Sequence, residues 1–285
     1  MILSKKATIN WCENDYIYSY YIAEFYNCLT GIFLCCSPLL FYYNNAIKST
    51  SFITCIFQLN RCFQLLFIVG IGTLLFHATL LYVFQLLDEI PMFLLCIEYY
   101  TVLDTLFVIN KSRSEWVEHT EFINMYKYIL CIVIILSGYI YDDLQVFIFQ
   151  YIITGCVGYL VYRLYYIYNN TIIMIDDLNL KKKELELAFL YDFTFGKKLF
   201  FLKKIIQTIL ILKNELNSSN KISIFAGIFS IIVWKFDNNY CHNVNFISGH
   251  ALWHILTSIS LYYVNKIILL CYSIRKYYTM IHTRD

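Results

Sequence analysis

Three of the six histidines, His77, His250 and His254, lie within long apolar segments of the sequence. An ionisable side chain inside a membrane is costly, so each is a candidate for function if these segments are membrane helices. His250 and His254 are four residues apart in HALWH, and a helix would place both imidazoles on one face, about one turn apart. A lone histidine in such a position more often packs or hydrogen-bonds than binds a metal. Two histidines at this spacing, together with a third elsewhere, favour a packing role and a metal site equally.

Zinc is the metal that suits this set of side chains. Three neutral imidazoles with an open fourth position are typical of a catalytic zinc site. Such a zinc lowers the pKa of its bound water to about 7 and polarises a carbonyl group. A carboxylate must then move a proton, and we expect Asp88 to do so. Thr73 lies four residues before His77 on the same helix face, where its hydroxyl could bind an oxyanion or bond back to its own helix.

A second candidate site precedes the first apolar segment. Residues 10–15, with the sequence NWCEND, and the nearby Glu24 are rich in carboxylate, amide and backbone oxygens. Such oxygens suit a hard cation such as calcium. A solvated acidic cap on the N-terminus of a helix explains the same residues, and the spacing alone favours that cap.

Membrane helices must position these residues, because the composition is that of a membrane protein. Of the 285 residues, 59% are hydrophobic and 15% are charged, whereas soluble domains carry about 45–50% apolar and about 25% charged residues. This excludes a disordered chain, a nucleic-acid-binding protein and an ordinary cytosolic enzyme. The net charge of +2 implies no strongly charged partner. The N-terminus lacks an apolar run before residue 20, so we expect no cleavable signal peptide.

The sequence predicts an all-α fold, a seven-transmembrane helix bundle that forms one domain over residues 1–285. A spanning helix needs roughly 20 apolar residues. Such segments occur at about 22–43, 62–82, 91–110, 126–141, 144–168, 222–237 and 248–272. Residues 169–221 carry several lysine clusters around a short apolar run, so we predict a long cytoplasmic loop there with one or two amphipathic interfacial helices.

The distribution of basic residues predicts the orientation of the bundle. Lysine and arginine concentrate in the first, third and fifth predicted loops and in the C-terminal tail. These parts should therefore be cytoplasmic, with the N-terminus luminal or extracellular, although Lys5 and Lys6 argue against it. The three histidines and Asp88 would then share the luminal end of the bundle. Cys12 and Cys241 would also be luminal, where an oxidising compartment permits a disulfide; two free thiols are the alternative.

Three stretches of the sequence resemble the alkaline ceramidase family, which is part of a wider group of seven-helix zinc hydrolases. They are INWCENDYIYSYYIAEFYN (9–27), GIGTLLFHATLLYVFQLLDEIPM (70–92), and WKFDNNYC with the following HALWHILTSISLYY (234–263). The resemblance covers the whole chain except the predicted fifth loop, which is much longer here.

The resemblance implies roles for individual residues. His77, His250 and His254 match zinc ligands, Asp88 matches the acid that works with the zinc, and Thr73 stands where the family usually has serine. Cys12 and Cys241 match a disulfide of the family. The residues that match a calcium site are Trp11 through its carbonyl, Glu13, Glu24, Asn10 in place of aspartate and Asp15 in place of asparagine.

The function that the resemblance implies is zinc-dependent hydrolysis of the ceramide amide bond to a sphingoid base and a free fatty acid. The substrate would be a ceramide-type lipid, with no nucleic acid and no obligate protein partner. The expected location is the endoplasmic reticulum or Golgi membrane, with the active site near the luminal side. One alternative is a receptor-like protein of the adiponectin-receptor type with little or no hydrolase activity. Another is a transporter or channel lined by charged residues within the predicted spans, namely Glu98, Asp104, Arg163 and Lys266.

Overall fold

The computed structural model describes residues 4–9, 11–46, 50–107, 129, 133, 142–191, 196–240 and 248–282. In these ranges the β structure is one isolated bridge between Lys6 and Leu81. The helices are α1 (Phe25–Ala46), α2 (Thr50–Thr79), α3 (Tyr82–Phe107), α4 (Asp142–Tyr191), α5 (Gly196–Tyr240) and α6 (Gly249–His282).

The all-α class is confirmed for the described part of the chain. Each of its six helices is long and apolar enough to cross a membrane, as expected for a multi-pass membrane protein. The predicted span at 126–141 lies outside the described residues except for Ile129 and Val133. The count of seven spans and the orientation of the termini therefore stay predictions.

The region 169–221, predicted as a long cytoplasmic loop with one or two amphipathic interfacial helices, is helical and not a loop where the structure describes it; its cytoplasmic location stays a prediction. α4 continues to Tyr191 and α5 begins at Gly196, so that the two helices have 50 and 45 residues. At 1.5 Å per residue they are about 75 and about 68 Å long, more than twice the roughly 30 Å hydrocarbon core of a bilayer. The lysines that suggested a loop therefore lie on those parts of the two helices that exceed a membrane span.

These helix extensions are held together by apolar side chains with ion pairs at their edges. Ile175, Leu178, Leu202, Ile209 and other apolar residues of α4 and α5 are buried. The flanking ion pairs are Lys203 Nζ to Glu186 Oε1 at 3.0 Å and Lys213 Nζ to Asp176 Oδ1 at 3.5 Å. Because exposed ion pairs contribute little, burial of the apolar residues explains why both helices continue.

Two glycines of α2 let its neighbours approach closely. A Cβ on Gly70 would lie 2.7 Å from the backbone nitrogen of Cys35 in α1. A Cβ on Gly72 would lie 2.5 Å from the carbonyl oxygen of Leu87 and 2.6 Å from the nitrogen of Asp88 in α3. Small residues at such positions let membrane helices pack backbone against backbone. Gly72 thereby places the next residue of α2, Thr73, opposite Asp88.

The segment before α1 lies across the end of the bundle where α2 ends and α3 and α6 begin, hereafter called the site end. Ala7 N–H donates to Leu80 O at 2.9 Å, and Tyr82 N–H donates to Lys5 O at 3.0 Å. Thr8 N–H donates to Gln85 Oε1 at 2.7 Å. These bonds hold the N-terminal segment on the turn between α2 and α3.

The N-terminal segment also reaches α5. The sulfur of Cys12 lies 2.7 Å from the carbonyl oxygen of Asp237. Its predicted partner Cys241 lies outside the described residues, so the disulfide stays a prediction.

Candidate metal centre and active site

Two helices bring the three histidines together at the site end. His77 lies in the last turn of α2, and His250 and His254 lie in the first two turns of α6. One ring nitrogen from each lies within 4.8 Å of the others, and all three side chains are buried. The i, i+4 spacing predicted that His250 and His254 share a face of α6. The packing of α6 against α2 adds His77 as the third member of the cluster.

One nitrogen of each imidazole has no hydrogen-bond partner among the described residues. These atoms are His77 Nε2, His250 Nδ1 and His254 Nε2. Buried polar atoms nearly always have a partner, so three orphans converging on one point require an explanation. Three imidazole nitrogens are a donor set that zinc accepts. The residues present therefore fit a metal ion.

The opposite nitrogens of two histidines are engaged by side chains of α1 and the residue before it. His77 Nδ1 hydrogen-bonds the carboxylate of Glu24, and His254 Nδ1 lies 2.9 Å from Thr30 Oγ1. Such partners hold the ring orientation and the tautomer of a metal-binding histidine. They leave Nε2 of both rings available on the side of the cluster.

His250 is held by stacking instead. Its ring lies 3.6 Å from that of Trp11, with an angle of 13° between the planes. The Trp253 ring stacks with it at 5.1 Å and 18°. Asp237 Oδ1 also accepts the N–H of Gly249 at 2.8 Å and so caps the helix turn that carries His250.

A threonine hydroxyl and an aspartate carboxylate form a hydrogen bond next to the histidine cluster. Thr73 Oγ1 lies 2.7 Å from Asp88 Oδ1, and both side chains are buried. The same hydroxyl lies 2.9 Å from Val69 O, one turn back in its own helix. Its single proton can serve either acceptor. The contact with Val69 is the predicted bond back to its own helix, and the oxyanion role stays a prediction. Because Thr73 is one turn from His77, the pair lies beside the metal candidate.

Glu13 of the acidic segment caps α1, but Glu13 and Glu24 are buried and not solvated as predicted. Glu13 Oε1 accepts the N–H of Tyr26 at 2.6 Å, and Glu13 Oε2 accepts the N–H of Asn27 at 2.8 Å. Glu24 accepts the N–H of Trp11 at 3.0 Å and Asn27 Nδ2 at 3.2 Å. Burial raises the pKa of Glu13, and it raises the pKa of Glu24 to about 7.

The calcium assignment for this segment is not decided by these contacts. Asn10 lies outside the described residues, and the structure holds Asp15 on the surface. Among the described residues, Glu13, Asp15 and Glu24 do not form a cluster of the kind that the three histidines form. Calcium binding by Asn10, Trp11, Glu13, Asp15 and Glu24 stays a prediction.

A family model described as Ceramidase matches residues 4–282. The chain belongs to the ceramidase family. This confirms the family indicated by the sequence motifs.

Several members of the ceramidase family are similar to this chain over part of its length. Alkaline ceramidase YPC1 of Saccharomyces cerevisiae is 42% identical over 96 residues, 32% of this chain and 28% of the relative. Alkaline ceramidase of Arabidopsis thaliana is 39% identical over 93 residues, 30% of this chain and 32% of the relative. Alkaline ceramidase 3 of Mus musculus is 32% identical over 94 residues, 32% of each chain. The matched segments span about a third of the length of these relatives.

In this ceramidase-family protein, several site residues escaped the sequence interpretation. Asn27 is buried, contacts Glu13 and Glu24 and accepts a hydrogen bond from Ser248. Thr30 contacts His254. The sequence does mark Asn27 and Thr30 as candidates, because polar residues inside an apolar membrane helix usually face the interior of the bundle. Spacing along one helix does not predict which residue of another helix each of them contacts.

A further buried network joins the N-terminal segment to two helices. Glu89 Oε1 accepts Gln85 Nε2 and Glu89 Oε2 accepts Gln145 Nε2, both at 2.7 Å. Gln85 Nε2 also lies 2.7 Å from Thr8 Oγ1. Glu89 is the neighbour of Asp88, so this network fixes the first turns of α3 against α4.

Proposed function

We propose that this protein hydrolyses the amide bond of ceramide and releases a sphingoid base and a free fatty acid. The observation that carries the proposal is the set of three buried histidine nitrogens without hydrogen-bond partners, with the Thr73–Asp88 pair one helical turn from His77. Its setting in a bundle of apolar helices suits a lipid substrate. The relatives named above are alkaline ceramidases, which supports the same reaction class.

His77, His250 and His254 would hold the metal, which we propose to be zinc. A zinc ion held there would supply polarisation of the amide carbonyl and a lowered pKa for a water molecule. The protein contributes the rigidity of the three imidazoles, through Glu24, Thr30 and stacking on Trp11. A calcium ion bound by the N-terminal segment would also hold Trp11 and Glu24 in position.

Asp88 would transfer the proton in this reaction. It takes a proton from water as the water oxygen bonds to the carbonyl carbon, and gives that proton to the amide nitrogen as the C–N bond breaks. The products are a carboxylic acid and an amine. Thr73 donates a hydrogen bond that orients the carboxylate, or turns its hydroxyl to the developing oxyanion.

Lipid would reach the site sideways between α4 and α5. These helices contact each other far from the site end, for example through Tyr168 Oη to Asn217 Oδ1 at 2.9 Å. Nearer the site end both expose apolar side chains, which include Val157, Val161, Ile224, Phe225, Ile228 and Ile231. A ceramide has both chains in hydrocarbon, so a path open to lipid suits it better than an aqueous channel. We place the protein in the endoplasmic reticulum or Golgi membrane with this end toward the lumen.

Three of the four charged residues that suggested transport form ion pairs between helices. Arg163 Nη2 lies 3.1 Å from Asp104 Oδ1, and Lys266 Nζ lies 2.7 Å from Glu215 Oε1. These pairs join α4 to α3 and α6 to α5, which favours a packing role. The Thr73–Asp88 pair beside the histidines favours a hydrolase over a receptor-like protein.

The test is product analysis with labelled ceramides on protein purified into lipid nanodiscs. His77→Ala and Asp88→Asn should abolish release of the labelled fatty acid. His282→Ala and Asp177→Asn are matched controls, because both residues lie near the other end of the bundle, and they should keep activity. Full activity in either site variant would overturn the mechanism. Metal analysis should find about one zinc per chain in the native protein and less in His77→Ala.

A further inference from the structure

An aromatic loop, defined as Tyr16–Ala23, projects from the site end just before α1. Its eight residues include four tyrosines and two isoleucines and no charged side chain. The N–H of Tyr16 donates to the carbonyl oxygen of Ala23 at 2.8 Å, which closes the loop on itself. Tyr16 has a φ of 58°, a left-handed conformation that residues other than glycine adopt infrequently.

Five of the eight side chains of the aromatic loop, including all four tyrosines, are exposed. Tyr20 and Tyr21 are 86% and 85% exposed, and Ile17 and Tyr18 are 62% and 60% exposed. Exposure of a contiguous, uncharged apolar patch to water is unfavourable. Such a patch needs an apolar or amphipathic partner.

The aromatic loop is continuous with the outward face of α1. The Tyr18 ring lies 5.9 Å from the Phe25 ring and 4.9 Å from the Tyr26 ring. Farther along α1, apolar side chains stay exposed, which include Leu29, Ile32 and Phe33. α1 is one of the helices apolar enough to cross a membrane, so the patch continues a lipid-facing surface.

The height of the aromatic loop is fixed by backbone bonds to α2. The N–H of Ala23 donates to Ala78 O at 3.0 Å, and the N–H of Glu24 donates to His77 O at 2.9 Å. Residues 77 and 78 lie at the C-terminal end of the apolar span of α2, and Phe25 is the first residue of the apolar span of α1. The loop therefore lies level with the ends of two spans, where the hydrocarbon core meets the headgroups.

We propose that the aromatic loop is an interfacial anchor that binds zwitterionic phospholipid at the boundary between headgroups and acyl chains. Tyrosine suits that layer, because its ring prefers the apolar side and its hydroxyl prefers the wet side. The absence of charge in the loop selects this boundary layer over an anionic headgroup or an acidic protein.

The test is photocrosslinking of the full chain in phosphatidylcholine nanodiscs. Benzoylphenylalanine replaces Tyr20 or Tyr21, whose exposure makes a folding defect unexpected, and intact mass spectrometry counts lipid adducts. The matched control replaces Leu187, an exposed apolar residue on the α4 extension. We expect several-fold more lipid adduct at residues 20 and 21 than at 187.

Equal yields at the three positions would overturn the anchor. So would crosslinks between two copies of the chain at residues 20 and 21, which would make the loop a self-association surface. The readout does not depend on catalysis, so a failed ceramide assay would leave this result unaffected.

Discussion

The carboxylate of Glu24 hydrogen-bonds Nδ1 of His77 and so joins the residue before α1 to the last turn of α2. The same carboxylate accepts the N–H of Trp11, whose ring stacks on His250. One acidic side chain thus links the supports of two of the three candidate metal ligands.

The first prediction concerns that link. Glu24→Gln keeps the size of the side chain but removes its charge, and partners of metal-binding histidines typically contribute 10- to 100-fold in affinity. We expect zinc affinity to fall by about 10- to 100-fold, measured by competition with a chelator of known affinity. Glu186→Gln, an acid on the α4 extension, is the control and should bind zinc as the native protein does. Native affinity in Glu24→Gln would show that the bond to His77 is dispensable.

The second prediction separates the hydroxyl of Thr73 from its methyl group. Thr73→Val retains the shape and removes the hydrogen bond to Asp88, whereas Thr73→Ser retains the bond. A hydrogen bond to a charged group contributes about 1.5–3 kcal/mol, so kcat/KM for ceramide should fall roughly 10- to 100-fold in Thr73→Val. Thr73→Ser should stay close to native. If the two variants behave alike, the hydroxyl has no part in the reaction.

The third prediction uses the close approach of α2 and α3. An alanine at residue 72 would put its Cβ against the backbone of Leu87 and Asp88, which would force the helices apart. Overpacking of this kind destabilises by about 1–3 kcal/mol. We expect Gly72→Ala to lower both the melting temperature and the rate of fatty acid release. At Gly155 a Cβ would meet nothing within 4 Å, so Gly155→Ala should lower neither.

The fourth prediction concerns the stacking of Trp11 on His250. Trp11→Ala removes the ring but keeps the backbone N–H that binds Glu24. Aromatic pairs contribute about 0.5–1.5 kcal/mol, so the zinc Kd should rise roughly 2- to 10-fold. Trp11→Phe keeps an aromatic face and should bind more tightly than Trp11→Ala. Equal affinities in the two variants would contradict a role for stacking.

The helix extensions show where hydropathy stops predicting structure. A window of about 20 apolar residues finds the part of a helix that crosses lipid, but it does not find where the helix ends. Beyond the membrane span, α4 and α5 bury apolar side chains, and α6 packs on α4 there through Tyr278 Oη, which donates to Asp177 Oδ2 at 3.0 Å. Residues such as Ile175 and Leu202 hold them together, and that pairing depends on the partner helix.

The candidate site was predictable to the extent that its residues are unusual for a membrane segment. His77, Asp88, His250 and His254 stand out because an ionisable residue in an apolar helix has few roles. Thr30 does not, because a threonine in such a helix is common and usually bonds its own backbone. Its contact with His254 depends on how α1 and α6 are rotated, and no sequence period reports that rotation.

The order of synthesis has a bearing on when the metal centre can exist. Glu24 and His77 emerge early and can pair as soon as α1 and α2 meet, but the other two ligands lie in α6, the last of the described helices. A nascent chain that has not yet delivered His250 and His254 therefore offers a single imidazole to a metal ion. A metal ion held by all three histidines, as proposed, could bind only after α6 is inserted, so an incomplete chain would lack the proposed hydrolase activity while it is being made.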